Sequence, residues 1–341
     1  MSGPAPRWRP SSRVVVAGLG ALTIALTLLG TVLNLFTRFS ALQEVGFRWI
    51  GVASLGEPIA LALAVVAVVG AVALVRGATG RWRWWAAWAL LPVVVCAWLW
   101  WPILAGVVAP ERAEGGNEFS VLVHNLWYEH EDPPRIAAAV AAQDADVVVL
   151  IEYTPEHAAA FGTPELLARY EHRWEQPLPR GAGIAVLSRL PFSEPELIDT
   201  TLTGLRTLLD VGAEEPVTLF AVHPVSPANI YSLPIWQDDM RTLTAAVAAA
   251  GPATVVAGDL NSSAGHRRFR HLLRVGELRD AADVAGAGYV PTWPLEGAFP
   301  AMLRLDHILV GEGVGVVDVE VVDGAGSDHR GVAAVLQVPR S

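Results

Sequence analysis

The sequence predicts three amino-terminal transmembrane helices followed by one α/β domain. The 341 residues are 52% hydrophobic, which is high for a water-soluble chain of this length. Long apolar segments fill the first third of the chain, at residues 14–36, 59–75 and 84–109. From residue 119 onward, short apolar runs alternate with amphipathic stretches, a pattern typical of strands and helices within one domain.

The first segment, residues 14–36, is a charge-free run of 23 residues, which is long enough to cross the hydrocarbon core of a bilayer. No small-x-small cleavage site follows it, so we interpret it as a retained helix rather than a signal peptide. Segment 59–75 is also uncharged, and segment 84–109 has tryptophans towards both ends, as interfacial belts require. These features predict a multi-pass protein of the cell membrane whose partner is the lipid bilayer.

The placement of arginine predicts the orientation of these segments. Three arginines precede the first segment and three join the second to the third, whereas two lie between the first and the second. The positive-inside rule therefore puts the amino terminus in the cytoplasm and delivers everything after residue 110 to the outside. The polar linker 110–118 reaches at most about 30 Å when extended, so the following domain must work close to the bilayer.

Charge is divided unevenly along the chain. Residues 1–110 have a net charge of +6, and residues 111–341 have a net charge of −16. So acidic a domain repels a polyanion, which disfavours nucleic acid as a partner, although a bound metal ion can invert the field inside a nuclease pocket. The single cysteine, Cys96, excludes an internal disulfide and a cysteine metal cluster. Nothing in the sequence indicates a protein partner.

Within the predicted α/β domain, residues 119–341, each candidate strand is a short apolar run bounded by turn-forming residues. We expect strands at 119–124, 146–151, 183–188, 217–223, 254–258, 305–310, 315–322 and 332–338. Amphipathic periodicity predicts helices at 135–142, 154–161, 164–169, 236–250 and 266–275.

Polar residues follow or precede these strands in a fixed order. They are Asn125, Glu152, Gly-x-Ala-x-Leu-Ser at 183–188, His223, Gly258-Asp259-x-Asn261, Asp306-His307 and Ser327-Asp328-His329. Taken singly, each has a simple structural explanation, because Asp and Asn after a strand are usually turn formers. As an ordered set spanning residues 119–338, they resemble the endonuclease/exonuclease/phosphatase superfamily, which has the DNase-I-like fold.

The resemblance implies a four-layer α/β/β/α sandwich and a divalent-metal-dependent phosphoesterase. It also implies that Mg²⁺ or Mn²⁺ is held by Glu152 as principal ligand, with Asn125 beside it and Asp328 at the same or a second site. Carboxylate and amide oxygens suit these hard cations. The glutamate is more often preceded by Gln in the family, whereas here it follows Ile151. We expect that difference to alter hydrogen bonding around the metal rather than to abolish metal binding.

The remaining motif residues receive catalytic roles from the same resemblance. Asp259 would orient or deprotonate the attacking water, and Asn261 would hold a phosphoryl oxygen. His329 would stabilise the phosphoryl charge, with its tautomer fixed by Asp306. His223 would bind the phosphoryl group or help the leaving oxygen depart.

Three further residues are candidates for substrate binding. Arg180 precedes Gly181-Ala182-Gly183 and could reach a phosphate, although a solvated loop arginine is an equal alternative. Trp236 and Trp293 belong to two apolar segments, 230–236 and 289–303, which would contact lipid if exposed or form core if they fold inward.

Three amino-terminal spans before a domain of this family also resemble the VanJ-type teicoplanin-resistance proteins of actinomycetes. That resemblance implies a lipid-linked pyrophosphate substrate such as undecaprenyl pyrophosphate. The alternatives are an extracellular nuclease, for which we would expect more basic residues interleaved with aromatics, and a catalytically silent membrane binding module. The full set of motif residues argues against the silent module.

Overall fold

The computed structural model describes residues 12–39, 41–44, 46–77, 116–296 and 300–339. The expected third span, 84–109, lies outside the described residues, as does most of the linker 110–118. The chain forms two compact units. The first comprises Met1–Phe39 and Gly56–Pro102, and the second comprises Ser40–Leu55 and Ile103–Ser341. The second unit thus takes in a short amino-terminal stretch as well as the catalytic domain predicted from the sequence.

The amino-terminal region contains helix α1 at Ser12–Phe39, a 3₁₀ turn at Ala41–Glu44 and helix α2 at Phe47–Gly77. These helices contain the apolar segments 14–36 and 59–75, and large apolar side chains such as Leu28 and Val69 are exposed along them. In the part of the chain that the structure describes, no helix combines the length and the hydropathy that crossing a bilayer requires. The described helices therefore do not support the expectation of three membrane spans.

The second unit continues with a strand-rich chain whose elements alternate. Its helices are α3 at Pro133–Ala142, α4 at Pro155–Phe161, α5 at Pro164–Arg169, α6 at Ser232–Ala248, α7 at Arg267–Val275 and α8 at Ala281–Val284. Its strands are β1 at Asn117–Asn125, β2 at Val147–Ile151, β3 at His172–Gln176, β4 at Ile184–Ser188, β5 at Phe192–Ile198, β6 at Gly204–Leu209, β7 at Val217–Val222, β8 at Thr254–Asp259, β9 at Arg279–Asp280, β10 at Asp306–Val310, β11 at Gly315–Val322 and β12 at Gly331–Val338.

The strands form two sheets of six strands each. One has the order β11-β12-β1-β2-β4-β3, and the other has the order β5-β6-β7-β8-β10-β9. One apolar cluster joins the facing sides of both sheets, including Val121 and Val149 from the first and Leu219 and Val255 from the second. Helices α3 to α5 cover the outer side of the first sheet, and α6 and α7 cover that of the second. The expected four-layer α/β/β/α sandwich is confirmed.

Pairing between central strands determines where the polar motif residues meet. Strands β1 and β2 are parallel neighbours in one sheet, as are β7 and β8 in the other. The carboxyl ends of parallel neighbours lie at the same edge of a sheet. Strand β10 is antiparallel to β8 with Asp306 opposite Asp259, so it starts at that edge. The two sheets therefore bring the ends of β1, β2, β7 and β8 and the start of β10 to one side of the sandwich.

Candidate active site

Glu152 follows the last residue of β2 directly. Its backbone φ is +61°, a left-handed conformation that a residue with a Cβ rarely adopts. One of its carboxylate oxygens, Oε2, accepts a hydrogen bond of 2.9 Å from the backbone N–H of Tyr128. The other, Oε1, lies 3.9 Å from Nε2 of His223. Strained conformations of this kind cluster at functional sites, where the surrounding structure holds them in place.

Asp259, at the end of β8, is held by two amide donors. Its Oδ2 accepts from the side-chain Nδ2 of Asn125 at 3.0 Å, and its Oδ1 accepts from the backbone N–H of Asn261 at 2.8 Å. Asn261 also has a left-handed backbone, with φ of +47°, and its side chain donates to the carbonyl of Pro224. These bonds join the ends of β1, β7 and β8 and fix the direction of the buried Asp259 carboxylate.

His223 follows β7, and its ring faces two carboxylates. Its Nδ1 lies 3.0 Å from the carbonyl oxygen of Gly181, which can only accept, so Nδ1 carries the proton. Its Nε2 faces Asp259 Oδ2 at 3.7 Å as well as Glu152. The loop carbonyl of Gly181 therefore fixes the tautomer and directs Nε2 into the site.

His329 and Asp306 form a buried hydrogen-bonded pair. The Nδ1–H of His329 donates to Asp306 Oδ2 at 2.8 Å, and its Nε2 lies 3.8 Å from Asp259 Oδ2. Burial acts to lower the pKa of His329, but the charges of Asp306 and Asp259 outweigh it and raise that pKa to about 10. The ring is then an imidazolium at neutral pH, with an Nε2–H donor available to a phosphoryl oxygen.

The loop before β12 brings Asp328 to the same side, where Trp293 binds it. The indole N–H of Trp293 donates to Asp328 Oδ2 at 3.1 Å, and the Trp293 ring lies 6.3 Å from the His329 ring. Burial raises the pKa of Asp328, and the negative charges of Glu152 and Asp259 raise it further against the opposing effects of His329 and Trp293.

Carboxylates placed so that they repel one another fit a divalent cation, which would relieve that repulsion. Glu152 and Asp328 offer the hard oxygen donors that Mg²⁺ prefers, and Asn125 adds an amide. A second set, Asp259, Asp306 and His329, also has potential ligand atoms within 4.8 Å of one another. In that set, however, His329 Nδ1 is occupied by Asp306, so the geometry favours an orienting pair over a metal ligand there.

A cavity of about 760 Å³ brings these groups together. Its lining includes seven of the residues expected from the sequence, namely Glu152, His223, Asp259, Asn261, Trp293, Asp328 and His329. Asn125 and Asp306 are buried beside this lining, bonded to Asp259 and His329 respectively. Arg180 is exposed beside Gly181, which lines the cavity, so Arg180 is adjacent to the site.

The structure corrects the expectation for Trp236. This residue lies in α6 rather than in an exposed loop, its side chain is 0% exposed, and it packs in the apolar cluster beneath the second sheet. Within the segment 230–236, Ile230, Tyr231 and Ile235 are the exposed large apolar residues. Trp236 is therefore core, and of the two tryptophans only Trp293 lines the cavity.

Sequence reasoning missed two contributors to the site. The first is the Tyr128 N–H that binds Glu152, which leaves no trace in a side-chain pattern because it is a backbone group. The second is the stretch 48–55 near the amino terminus, which supplies part of the cavity lining although it belongs to the region taken as a membrane domain. Arg48, which interrupts an otherwise apolar stretch, was the available signal.

Known protein families and solved structures resemble this chain. A model of the Endonuclease/Exonuclease/phosphatase family matches residues 122–329. A comparison with proteins of curated function found no match.

Several solved structures share the fold. An endonuclease/exonuclease/phosphatase from Beutenbergia cavernae is 24% identical with a TM-score of 0.52, covering 65% of this chain and 72% of that one. TDP2 from D. rerio, solved with a single-strand DNA product, is 19% identical with a TM-score of 0.53, covering 65% of this chain and 99% of its own. TDP2 from Caenorhabditis elegans is 18% identical with a TM-score of 0.51, covering 65% and 98%.

Proposed function

Because the chain belongs to the endonuclease/exonuclease/phosphatase family, a family of metal-dependent phosphoric ester hydrolases, we propose that it is a Mg²⁺-dependent phosphoesterase acting on a lipid-linked phosphate or pyrophosphate. The observation that carries this proposal is the cavity itself. Carboxylates, an imidazolium and a second histidine meet at one part of its lining, while much of the rest is apolar, including Leu55, Leu202 and Val225.

The proposed roles follow from the contacts. Glu152, Asp328 and Asn125 would hold the cation, which neutralises phosphoryl charge and orients the reacting groups. Asp259, fixed by two amide donors, accepts a proton from the attacking water. The oxygen of that water forms the new bond to phosphorus.

The remaining groups act on the phosphoryl and leaving oxygens. His329, charged through its pairing with Asp306, donates its Nε2–H to a phosphoryl oxygen. Asn261, which lines the same cavity, would hold a phosphoryl oxygen. As the bond from phosphorus to the leaving oxygen breaks, that oxygen takes a proton from water, and His223 would help it depart with the Nε2 that faces the site.

We further propose that the protein is attached to the outer side of a cell membrane through its region 1–109. The support is the charge-free run 14–36, the arginine distribution, and the exposed apolar side chains along α1 and α2, which water disfavours. Such a position would bring the cavity near lipid-linked substrates.

The test uses the full chain purified in detergent with Mg²⁺. We expect phosphate release from undecaprenyl pyrophosphate, and we expect Glu152→Gln and Asp259→Asn each to reduce it by about a hundredfold or more, because each loses a transition-state interaction. Glu165→Gln, an exposed carboxylate on α5, is the matched control and should be active. Full activity in the Glu152 variant would contradict the proposed site.

Plasmid nicking is assayed in parallel, because an extracellular nuclease is the alternative within the same family. Efficient nicking without turnover of the lipid substrate would replace the lipid proposal by the nuclease. Loss of nicking in Glu152→Gln would then show that the same site is responsible.

A further inference from the structure

Residues 41–44 and 46–55, here called the connector, lie between α1 and the apolar part of α2 and dock on the catalytic domain. The buried side chain of Gln43 bonds to both sides of the start of α7. Its Nε2 donates to the Gly265 carbonyl at 3.2 Å, and its Oε1 accepts from the backbone N–H of Arg267 at 2.8 Å. The first N–H groups of a helix have no partner within the helix, so Gln43 satisfies one of these donors in α7.

Glu44 adds charge to the same contact. Its carboxylate accepts from Nε and Nη2 of Arg268 at 3.1 and 2.6 Å, and its backbone carbonyl accepts from Gln237 of α6 at 3.0 Å. A negative charge near the amino end of a helix is also favourable for the helix dipole. The connector thus bonds to both helices that cover the second sheet.

The first turns of α2 continue this docking by close packing. Ile50 is 3% exposed and joins the apolar cluster that contains Trp236. The Oγ of Ser54 lies 2.9 Å from Nε2 of His266. A Cβ on Gly265 would come 2.2 Å from the carbonyl oxygen of Ala53, so only glycine permits this approach.

Docking in this way makes the connector part of the catalytic cavity. Arg48, Gly51 and Leu55 line it, together with the proposed catalytic residues. Among the described residues that line the cavity, Arg48 is the one arginine, and the chain contains no lysine. A Cβ on Gly51 would meet nothing within 4 Å, so this position leaves room in the cavity wall.

We infer that Arg48, Gly51 and Leu55 form a substrate-binding wall, in which Arg48 pairs with an anionic group beyond the reacting phosphoryl group and the face containing Gly51 and Leu55 contacts an apolar chain. This inference rests on the proposed phosphoesterase function and specifies the substrate as an amphiphile with more than one negative charge. A divalent cation held by Glu152 and Asp328 would balance those two carboxylates, so a pyrophosphate would need further positive charge. Arg48 supplies it, with the hydrogen-bonding geometry that suits phosphate oxygens.

The experiment measures competitive inhibition in the full chain, in detergent at fixed free Mg²⁺. Hydrolysis of a small chromogenic phosphodiester is the reporter, and the inhibitors are geranyl pyrophosphate and inorganic pyrophosphate. Arg48→Gln should weaken both inhibitors about tenfold, since it removes a charge-assisted hydrogen bond from each. Gly51→Trp should weaken geranyl pyrophosphate about tenfold and inorganic pyrophosphate much less, because only the chain occupies the space that the indole fills.

Matched controls separate the cavity from general effects of substitution. Arg135→Gln changes an exposed arginine on α3, and Val52→Trp places the same indole on the next residue of α2, which does not line the cavity. Geranyl pyrophosphate and inorganic pyrophosphate should inhibit both control variants as strongly as they inhibit the wild type. Equal inhibition of Gly51→Trp and Val52→Trp, or of Arg48→Gln and Arg135→Gln, would overturn the inference. Failure of geranyl pyrophosphate to inhibit the wild type would also overturn it. Inhibition with the expected pattern but no phosphate release from a lipid pyrophosphate would overturn the proposed substrate alone.

Discussion

At the scale of single residues, the site depends on backbone conformations and hydrogen bonds that orient a few polar side chains. Glu152 and Asn261 both adopt left-handed backbone conformations that cost about 1–3 kcal/mol each. Asn125 orients Asp259, as Asp306 orients His329. Substitution of an orienting residue should therefore act through its partner.

Trp293 provides a test of this principle at the metal. Trp293→Phe keeps a ring beside His329 but removes the N–H that binds Asp328 Oδ2. Loss of a hydrogen bond to a metal-binding carboxylate typically lowers metal affinity by about 10–100-fold. We expect the Mg²⁺ concentration for half-maximal activity to rise about tenfold or more, measured by Mg²⁺ titration of initial rates. Trp174→Phe, on the edge strand β3, is the control, and an unchanged titration for Trp293→Phe would show that Asp328 does not hold the ion.

Trp236 leads to a prediction about stability rather than catalysis. Its side chain is fully buried against the second sheet, so Trp236→Ala should lower the free energy of unfolding by about 3–5 kcal/mol, as loss of a buried aromatic side chain does. Chemical denaturation followed by circular dichroism measures this change. Tyr231→Ala, at a residue 79% exposed five positions earlier, should change stability little. Comparable effects of the two substitutions would contradict the burial of Trp236.

At the scale of secondary-structure elements, the sequence predicted the central strands and the covering helices well. Strands β1, β2, β4, β7, β8, β10, β11 and β12 and helices α3 to α7 all overlap the predicted ranges. The missed strands β3, β5, β6 and β9 lie away from the centre of the sheets, and β3 and β5 lack the apolar signal. Strand β5 is mostly exposed and contains Pro195, and β3, with the sequence HRWEQ, is at the edge of its sheet. An edge strand buries too little to show in a hydrophobic pattern.

The same reasoning explains what sequence could say about the site. Motif order predicted the residues from β1 to β12 because each follows or precedes a buried strand. It could not predict the connector, since this stretch reaches the cavity through long-range contacts between Gln43, Glu44 and Ser54 and helix α7 with its preceding loop. It also failed to separate Trp236 from Trp293, because both lie in apolar segments and only packing distinguishes them.

The contact between the connector and α7 should respond to acid through His266. Burial lowers the pKa of His266 from 6.5 to about 4, and the Ile50 carbonyl only partly opposes this. The unfolded chain therefore takes up a proton below pH 6.5 that the folded chain does not accept until about pH 4. The free energy of unfolding should be highest above pH 6.5 and should decrease as the pH falls towards 4. His266 should account for roughly 3 kcal/mol of this decrease.

Thermal unfolding at a series of pH values measures this effect. His266→Gln should be less stable at neutral pH and should lose less stability than the wild type between pH 6.5 and 4. His271→Gln, which replaces an exposed histidine on α7, should follow the wild-type curve. Parallel curves for His266→Gln and the wild type would mean that His266 does not control this loss.

At the scale of the whole molecule, the distribution of charge and apolar surface leads to a prediction of topology. The arginines before the first apolar segment and between the second and third favour a cytoplasmic amino terminus and an external catalytic domain. A reporter enzyme that works only outside the cytoplasm, fused after Ser341, should therefore be active. A cytoplasm-specific reporter fused at the same place should be inactive. The reverse pattern would place the catalytic domain inside and redirect the search for its substrate.

The fit of Gly265 against Ala53 has a consequence for how the protein matures. The connector leaves the ribosome about two hundred residues before the loop that receives it, so it must wait for α7 to be synthesised and folded. A polypeptide beginning at residue 116 would contain every proposed catalytic side chain, yet the amino end of α7 would lack Gln43 and the apolar surface around Trp236 would lack Ile50. Removing the first 115 residues to obtain a soluble enzyme would therefore open one side of the cavity and expose the apolar surface around Trp236 to water.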